Sequence, residues 1–189
     1  AQLGALHTIC DSNIDVLIRI ETQYRNGGKE TEVKAVLANE EIAGVVIALP
    51  AALHHHVARQ ALLSGKDVFI EKPFTSNSVE ANDLVALAEE RERIVMVGHL
   101  MLYHPAIPVL KRSIDSGDLG EIYYLYSTRV NLGQVRSDES ALWRLAPHDI
   151  SLFMYLLDAV PEVISAHGIS YVQPHLEDVV FVTLQFPPK

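Results

Sequence analysis

Cysteine is almost absent from this chain, with Cys10 alone among 189 residues. No internal disulfide can form, and such usage suits a reducing cytoplasm. Nothing in the composition points to a structural zinc site, which needs several Cys or clustered His ligands. Positive charge is also scarce: 15 Lys and Arg against 24 Asp and Glu give a net charge of −9. That balance argues against nucleic acid as a partner, because phosphates demand a basic surface. No window approaches the ~18 consecutive apolar residues of a membrane span, and no signal-peptide pattern opens the chain. Repeats and low-complexity segments are missing too. What remains is ordinary globular composition, 49% hydrophobic and 21% charged, with ample material for a core.

Both ends read as cut. Ala1 to Leu6 resembles the tail of a helix running into a strand, and Phe186 to Lys189 follows a strand-like run directly. A sheet ending there would leave an exposed edge, which natural proteins avoid. The expectation is a fragment of a longer protein.

The first half alternates strand and helix. Leu6 to Cys10 reads as a strand, Ile14 to Arg25 as an amphipathic helix stopped at Asn26-Gly27-Gly28, and Val33 to Leu37 as a short strand or turn. Val45 to Ala48 is a strand, and a helix follows Pro50 to about Leu63. Val68 to Ile70 is the next strand, followed by a helix from Val79 to Arg91 with an Asn77/Glu80 capping box, then a strand at Ile94 to Val97. This order predicts an α/β fold with a doubly wound parallel sheet, a partial Rossmann domain over residues 1–100. Beyond residue 100 the grammar changes. A helix at Pro105 to Asp115 precedes a long aromatic strand, Ile122 to Thr128, and a helix is expected at His148 to Leu157. Strands at Val163 to Tyr171 and Val179 to Phe186 make residues 101–189 a second, incomplete α+β domain with a mainly antiparallel sheet.

Ligands bind at the carboxyl ends of strands in such sheets. Glu71-Lys72-Pro73 stands at one of these ends. There Lys72 can act through its charge or, if desolvated, as a general base, and Pro73 fixes φ behind it. Asp11 ends the strand that would be second in a dinucleotide unit. It reads either as a helix cap or as a ligand of the adenosine ribose, and in the second role it favours NAD over NADP. The glycine-rich turn of that unit would fall before residue 1. His148-Asp149 opens the expected helix, where the dipole would keep the imidazole neutral and basic; the bland alternative makes Asp149 a cap. His54-His55-His56 is no metal site, since consecutive helical residues point about 100° apart. No metal is expected anywhere.

Taken together, Asp11, the stretch from Pro50 through His54 to Val68, Glu71-Lys72-Pro73, Gly117 to Ile122 and His148-Asp149 resemble the Gfo/Idh/MocA family of nicotinamide-dependent oxidoreductases. The resemblance implies a Rossmann domain followed by an open-faced mixed sheet, with Lys72 and His148 catalytic. It implies a cofactor wall from Asp11, Leu49, Pro50, His54, Glu71 and Pro73, and NAD as cofactor. Many sugar and polyol dehydrogenases of the family carry an Asp four residues before the catalytic His, where this chain has Arg144. The stretch Asn131 to Arg136, with Ala141-Leu142-Trp143 and Ala146 to Ser151, looks more like the nucleotide-sugar branch. Its members oxidise the 3-hydroxyl of UDP-N-acetylhexosamines or the related uronic acids. Asn131, Arg136 and Trp143 are then the substrate-side candidates, and Arg136 offers a fork for an oxyanion. Arg129 reads instead as a structural charge on the sheet. The expected function is hydride transfer from a sugar carbinol carbon to NAD in the cytoplasm, by a protein that is a homo-oligomer at full length. The alternatives are a free-sugar or polyol dehydrogenase and a binding module without turnover.

Overall fold

The parallel sheet of the first half grows from short apolar runs that pair in register. A computed structural model describes residues 5–24, 27–130 and 139–188, in two compact units, 1–98 and 99–189. In the first unit the order is β1 (Thr8–Cys10), α1 (Ile14–Glu21), β2 (Gly28–Glu30), α2 (Val33–Ala38), β3 (Gly44–Ile47), α3 (Ala51–Leu63), β4 (Asp67–Ile70), α4 (Ser78–Glu90) and β5 (Val95–Val97). β1 pairs with β2, and β3, β4 and β5 form a second ladder; every pairing is parallel. All residues of β4 except Asp67 are apolar because this strand has a neighbour on each side and helices against it. Val68 and Ile70 are buried with Leu62, Ala58 and Ala61 of α3 and Leu84, Leu87 and Ala88 of α4. The alanines keep α3 close to the sheet.

Local signals set the helix ends. The Asn13 side chain accepts from Asp15 N at 2.9 Å to cap α1, and Asn77 accepts from Glu80 N at 2.9 Å to cap α4. Glu80 reaches back to Ser76 N at 3.2 Å, a variant of the capping box. Lys66 is buried after α3, its ammonium donating to Asn39 O at 2.7 Å.

One early expectation fails. Val33 to Leu37 lies in the helix α2, and the strand sits instead at Gly28–Glu30, where the glycines had read as a stop. A Cβ on Gly28 would meet Thr8 Oγ1 at 3.0 Å, so glycine is there for close approach to β1.

The second unit holds a 3-10 turn at Leu100–Tyr103, then α5 (Ala106–Asp115), α6 (Ala141–Leu157), β6 (Val163–Ile169) and β7 (Val179–Gln185). β6 and β7 pair antiparallel from Val163↔Gln185 to Ile169↔Val179. β7 alternates exposed and half-buried residues, the period-2 pattern of a strand covered on one face. Two expectations are corrected here. Among the described residues, 120–130 join no strand ladder, so the expected aromatic strand Ile122 to Thr128 is not formed there. Tyr123, Tyr124 and Tyr126 are 84%, 77% and 80% exposed; β propensity alone makes no strand without a pairing edge. The helix expected at His148 begins at Ala141, one unbroken helix with Pro147 inside it. Ala141 N donates to Glu177 O at 2.8 Å and Arg144 N to Ser140 O at 3.0 Å, which anchors the earlier start. Among the described residues no helix is long and apolar enough to cross a membrane.

Candidate functional site

Three strand ends lie side by side in the first unit. Glu71 N donates to Ile47 O at 2.9 Å, and Gly98 N to Ile70 O at 2.7 Å, so both pairings of β4 run to its carboxyl end. The loop from β3 presents Leu49 and Pro50, both exposed, and Pro50 starts α3. The loop from β4 presents Glu71 and Lys72, both half-buried, ahead of the buried Pro73; the Lys72–Pro73 bond is cis. Lys72 N donates to Glu71 Oε2 at 3.3 Å. A Cβ on Gly98 would stand 3.2 Å from Glu71 Oε2 and 3.3 Å from Phe69 Cζ. Glycine at the end of β5 therefore makes room for the Glu71 carboxylate, a feature the motif reading did not single out.

The three histidines of α3 diverge. His54 is 1% exposed, with Nδ1 2.8 Å from Pro73 O and Nε2 2.8 Å from Leu49 O. His55 Nε2 bonds Asp83 Oδ2 at 2.7 Å, and His56 Nε2 lies 3.0 Å from Gln60 Nε2. The His55 bond and the nearby Arg59 hold the Asp83 carboxyl below its usual range. His54 thus braces the wall formed by Leu49, Pro50 and Pro73 from behind. Among the described residues no three His, Cys, Asp or Glu side chains gather as a metal site.

Asp11 ends β1, its Oδ1 accepting from Asn13 N at 2.8 Å. Glu30 ends β2 beside it, Asp11 N donating to Glu30 O at 3.2 Å. Burial pushes the Cys10 thiol up, and the charges of Glu30, Asp11 and Glu32 push the same way. The carboxyl ends of β1 and β2 are therefore acidic. The reading of Asp11 alone had missed Glu30 and Glu32; their position in the sequence, just past a stretch read as a turn, concealed them.

In the second unit His148 lies in the third turn of α6, half-buried, not at its start. The argument from the helix dipole does not apply there. Ser151 Oγ donates to His148 O at 2.9 Å. Asp149 does not cap the helix. It accepts from Ser127 Oγ at 2.9 Å and Arg129 Nε at 2.6 Å, and so ties the Ser127–Arg129 segment to α6. Arg129 is a partner in an ion pair. Trp143 is 46% exposed on α6. Asn131 and Arg136 lie outside the described residues. A cavity of about 1500 Å³ runs along this unit, with Arg129, Arg144, Asp149, Phe153 and Leu184 among the residues lining it. His99, which follows β5, has a buried Nδ1 with no hydrogen-bond partner among the described residues, and burial lowers its pKa.

Residues 6–99 match the GFO_IDH_MocA model, described as an oxidoreductase family with an NAD-binding Rossmann fold. Residues 108–189 match the GFO/IDH/MocA C-terminal domain. UDP-N-acetylglucosamine 3-dehydrogenase of Acidithiobacillus ferrooxidans is 31% identical over 91% of this chain and 53% of its own length. A solved structure of UDP-N-acetylglucosamine 3-dehydrogenase from that organism superposes with a TM-score of 0.82 at 29% identity, over 96% of this chain and 57% of the other. The NAD-dependent scyllo-inositol 2-dehydrogenase of Bacillus subtilis is 30% identical over 75% of this chain and 43% of its own length. The chain spans about half the length of the curated relatives it matches.

Proposed function

We propose, from the premise that this chain belongs to the Gfo/Idh/MocA oxidoreductase family, that the whole protein oxidises a sugar hydroxyl with NAD, with Lys72 at the reacting centre. The observation that carries the reading is Glu71-Lys72-Pro73 at the carboxyl end of β4, flanked by the ends of β3 and β5. The residues present fit a dinucleotide. Leu49 and Pro50 offer an exposed apolar wall, and Asp11 stands where ribose hydroxyls are bound in such folds. Glu30 and Glu32 add charge that repels the extra phosphate of NADP, so NAD is the better match.

When bound, NAD supplies the hydride acceptor. Lys72 donates an N–H to the alcohol oxygen and stabilises the negative charge that develops as its proton leaves. Glu71 holds the Lys72 backbone through its N–H. The proton itself goes to His148, the second candidate, or to Lys72 where Lys72 starts as the neutral amine and then holds the ketone oxygen as the ammonium it has become. Pro50 and Pro73 give the wall a fixed backbone.

For the substrate we propose C3 of a UDP-N-acetylhexosamine or related UDP-sugar. The support is the UDP-N-acetylglucosamine 3-dehydrogenase relative, which aligns over 91% of the chain. Trp143, Asn131 and Arg136 are the substrate-side candidates. A free polyol is the second reading, favoured by the inositol dehydrogenase relative. The whole protein is proposed to be a homo-oligomer, as the family resemblance implies.

The test is reduction of NAD, followed by absorbance, in the whole protein with a panel of UDP-sugars and free polyols. Turnover of UDP-sugars is expected; turnover of polyols alone would replace the substrate. Tight binding of both ligands without reduction would make the protein a binding module. Lys72→Met should lower kcat about a hundredfold or more while NAD affinity stays largely intact. Retained turnover would remove Lys72 from the mechanism.

A further inference from the structure

His54 faces two acceptors and no donor. Its Nδ1 lies 2.8 Å from Pro73 O and its Nε2 lies 2.8 Å from Leu49 O. A carbonyl oxygen can only accept, and a neutral imidazole has one N–H and one bare nitrogen. In either neutral tautomer a ring lone pair would therefore point at a carbonyl lone pair at hydrogen-bond distance, in a side chain 1% exposed. Turning the ring over does not help, because it puts a C–H where each nitrogen now stands and loses both contacts. Only the ring with a proton on each nitrogen makes two bonds.

We infer that His54 is a positioning residue held as an imidazolium, which clamps the loop after β3 to the loop after β4 by donating to Leu49 O and Pro73 O together.

Two effects oppose a cation there. The ring is buried, and it stands in the first turn of α3, at the positive end of the helix dipole. Two charge-assisted bonds to backbone carbonyls work against both, since such bonds are about twice as strong as neutral ones. Charged groups on the elements around α3 are otherwise engaged or, like Glu89 and Glu90 in the last turn of α4, exposed. Asp83 of α4 is taken by His55 and Arg59, Glu80 of α4 bonds Ser76 N, and Asp67 of β4 bonds Ile94 N. On α2 the charged residue is Lys34, and β3 has none. Among the described residues no carboxylate bonds the His54 ring, so the carbonyls are its counter-groups.

The clamp has a direct mechanical meaning. Glu71 N is fixed to Ile47 O on one side of Lys72, and Pro73 O is fixed to His54 on the other. The backbone of Lys72 is thus pinned at both neighbours, and the pin on the Pro73 side also fixes Leu49 in the facing loop. That consequence for turnover rests on the proposed role of Lys72; the protonation state of His54 does not.

Nitrogen-15 NMR of the imidazoles in the whole protein at pH 7.5 tests the first part without any variant. Both His54 nitrogens should carry protons that exchange slowly with water. A bare nitrogen in that ring would overturn the inference. The second part uses His54→Phe, which keeps a ring but no donor, and His54→Gln, which restores N–H groups. His54→Phe should lower kcat between about tenfold and a hundredfold through misplacement of Lys72, with KM for the sugar changing much less. His54→Gln should recover part of the loss. An unchanged kcat in His54→Phe, or equal loss in both variants, would overturn the positioning role. If none of the UDP-sugars or polyols supports reduction of NAD by the wild-type protein, the function proposed above fails while the NMR result still decides the state of His54.

Discussion

Replacing Pro147 by alanine should make the protein more stable and less active. Pro147 sits inside α6, which runs unbroken from Ala141 to Leu157. Proline has no N–H, so the carbonyl of Trp143, four residues back, lacks its helical donor, and the ring presses against it. In a helix interior that combination costs about 3 kcal/mol. Part of this is offset, because proline restricts the unfolded chain by about 0.4–1 kcal/mol. The net expected gain for Pro147→Ala is therefore about 2 kcal/mol. For a chain of this size each kcal/mol moves the melting temperature by about 2–4 °C, so a rise of about 4–8 °C should appear in a thermal melt.

The loss of activity follows from what comes next in the helix. His148 and Asp149 succeed Pro147 directly, and Asp149 holds Ser127 and Arg129 through bonds of 2.9 and 2.6 Å. Closing the helix at Trp143 turns Asp149 relative to the segment it holds and moves His148 with it. Steady-state NAD reduction on the same variant reads that effect. A melting temperature that falls or stays put would refute the reasoning, since it would mean that α6 relieves the missing bond without strain. A rise with unchanged kcat would keep the helix argument and remove His148 from the list of proton acceptors.

Three further outcomes are expected. Cys10 should react slowly with iodoacetamide at pH 8 relative to a free thiol, because burial and then Glu30, Asp11 and Glu32 raise its pKa; alkylation at the rate of free cysteine would contradict that setting. His99 is held neutral by burial, with its folded pKa below the ordinary 6.5. Its contribution is therefore complete above about pH 6.5 and is lost as pH falls through the folded value. Urea midpoints of the wild type should drop faster on acidification than those of His99→Phe, and parallel profiles would show that the ring is not desolvated. Leu84 is fully buried against the sheet, so Leu84→Ala should destabilise the first unit by about 2–5 kcal/mol. An equilibrium unfolding curve within about 1 kcal/mol of the wild type would place that side chain outside the core.

The residues that were legible and those that were not differ in where their partners lie. β3, β4 and β5 could be read as parallel strands because each is an apolar run bounded by turn signals, and α4 could be placed by its cap; those signals sit within a few residues of what they determine. Ile122 to Thr128 has equally strong local signals and no ladder, because pairing requires an edge that no local pattern describes. Gly28 was mistaken for a stop because its reason for being glycine is Thr8 on a neighbouring strand. The helix expected at His148 starts earlier because Glu177 O, distant in sequence, anchors its start at Ala141. The same distinction separates two residues of the candidate site. Lys72 could be singled out because a charged residue next to proline at a strand end is a local pattern. The part His54 plays is set by Leu49 O and Pro73 O, two carbonyls brought together by the sheet, so its motif marks the place but only the fold supplies the chemistry. A variant scan guided by motif alone would therefore rank His54 with the groups that touch ligand, whereas its burial predicts that its loss acts on kcat through the backbone of Lys72.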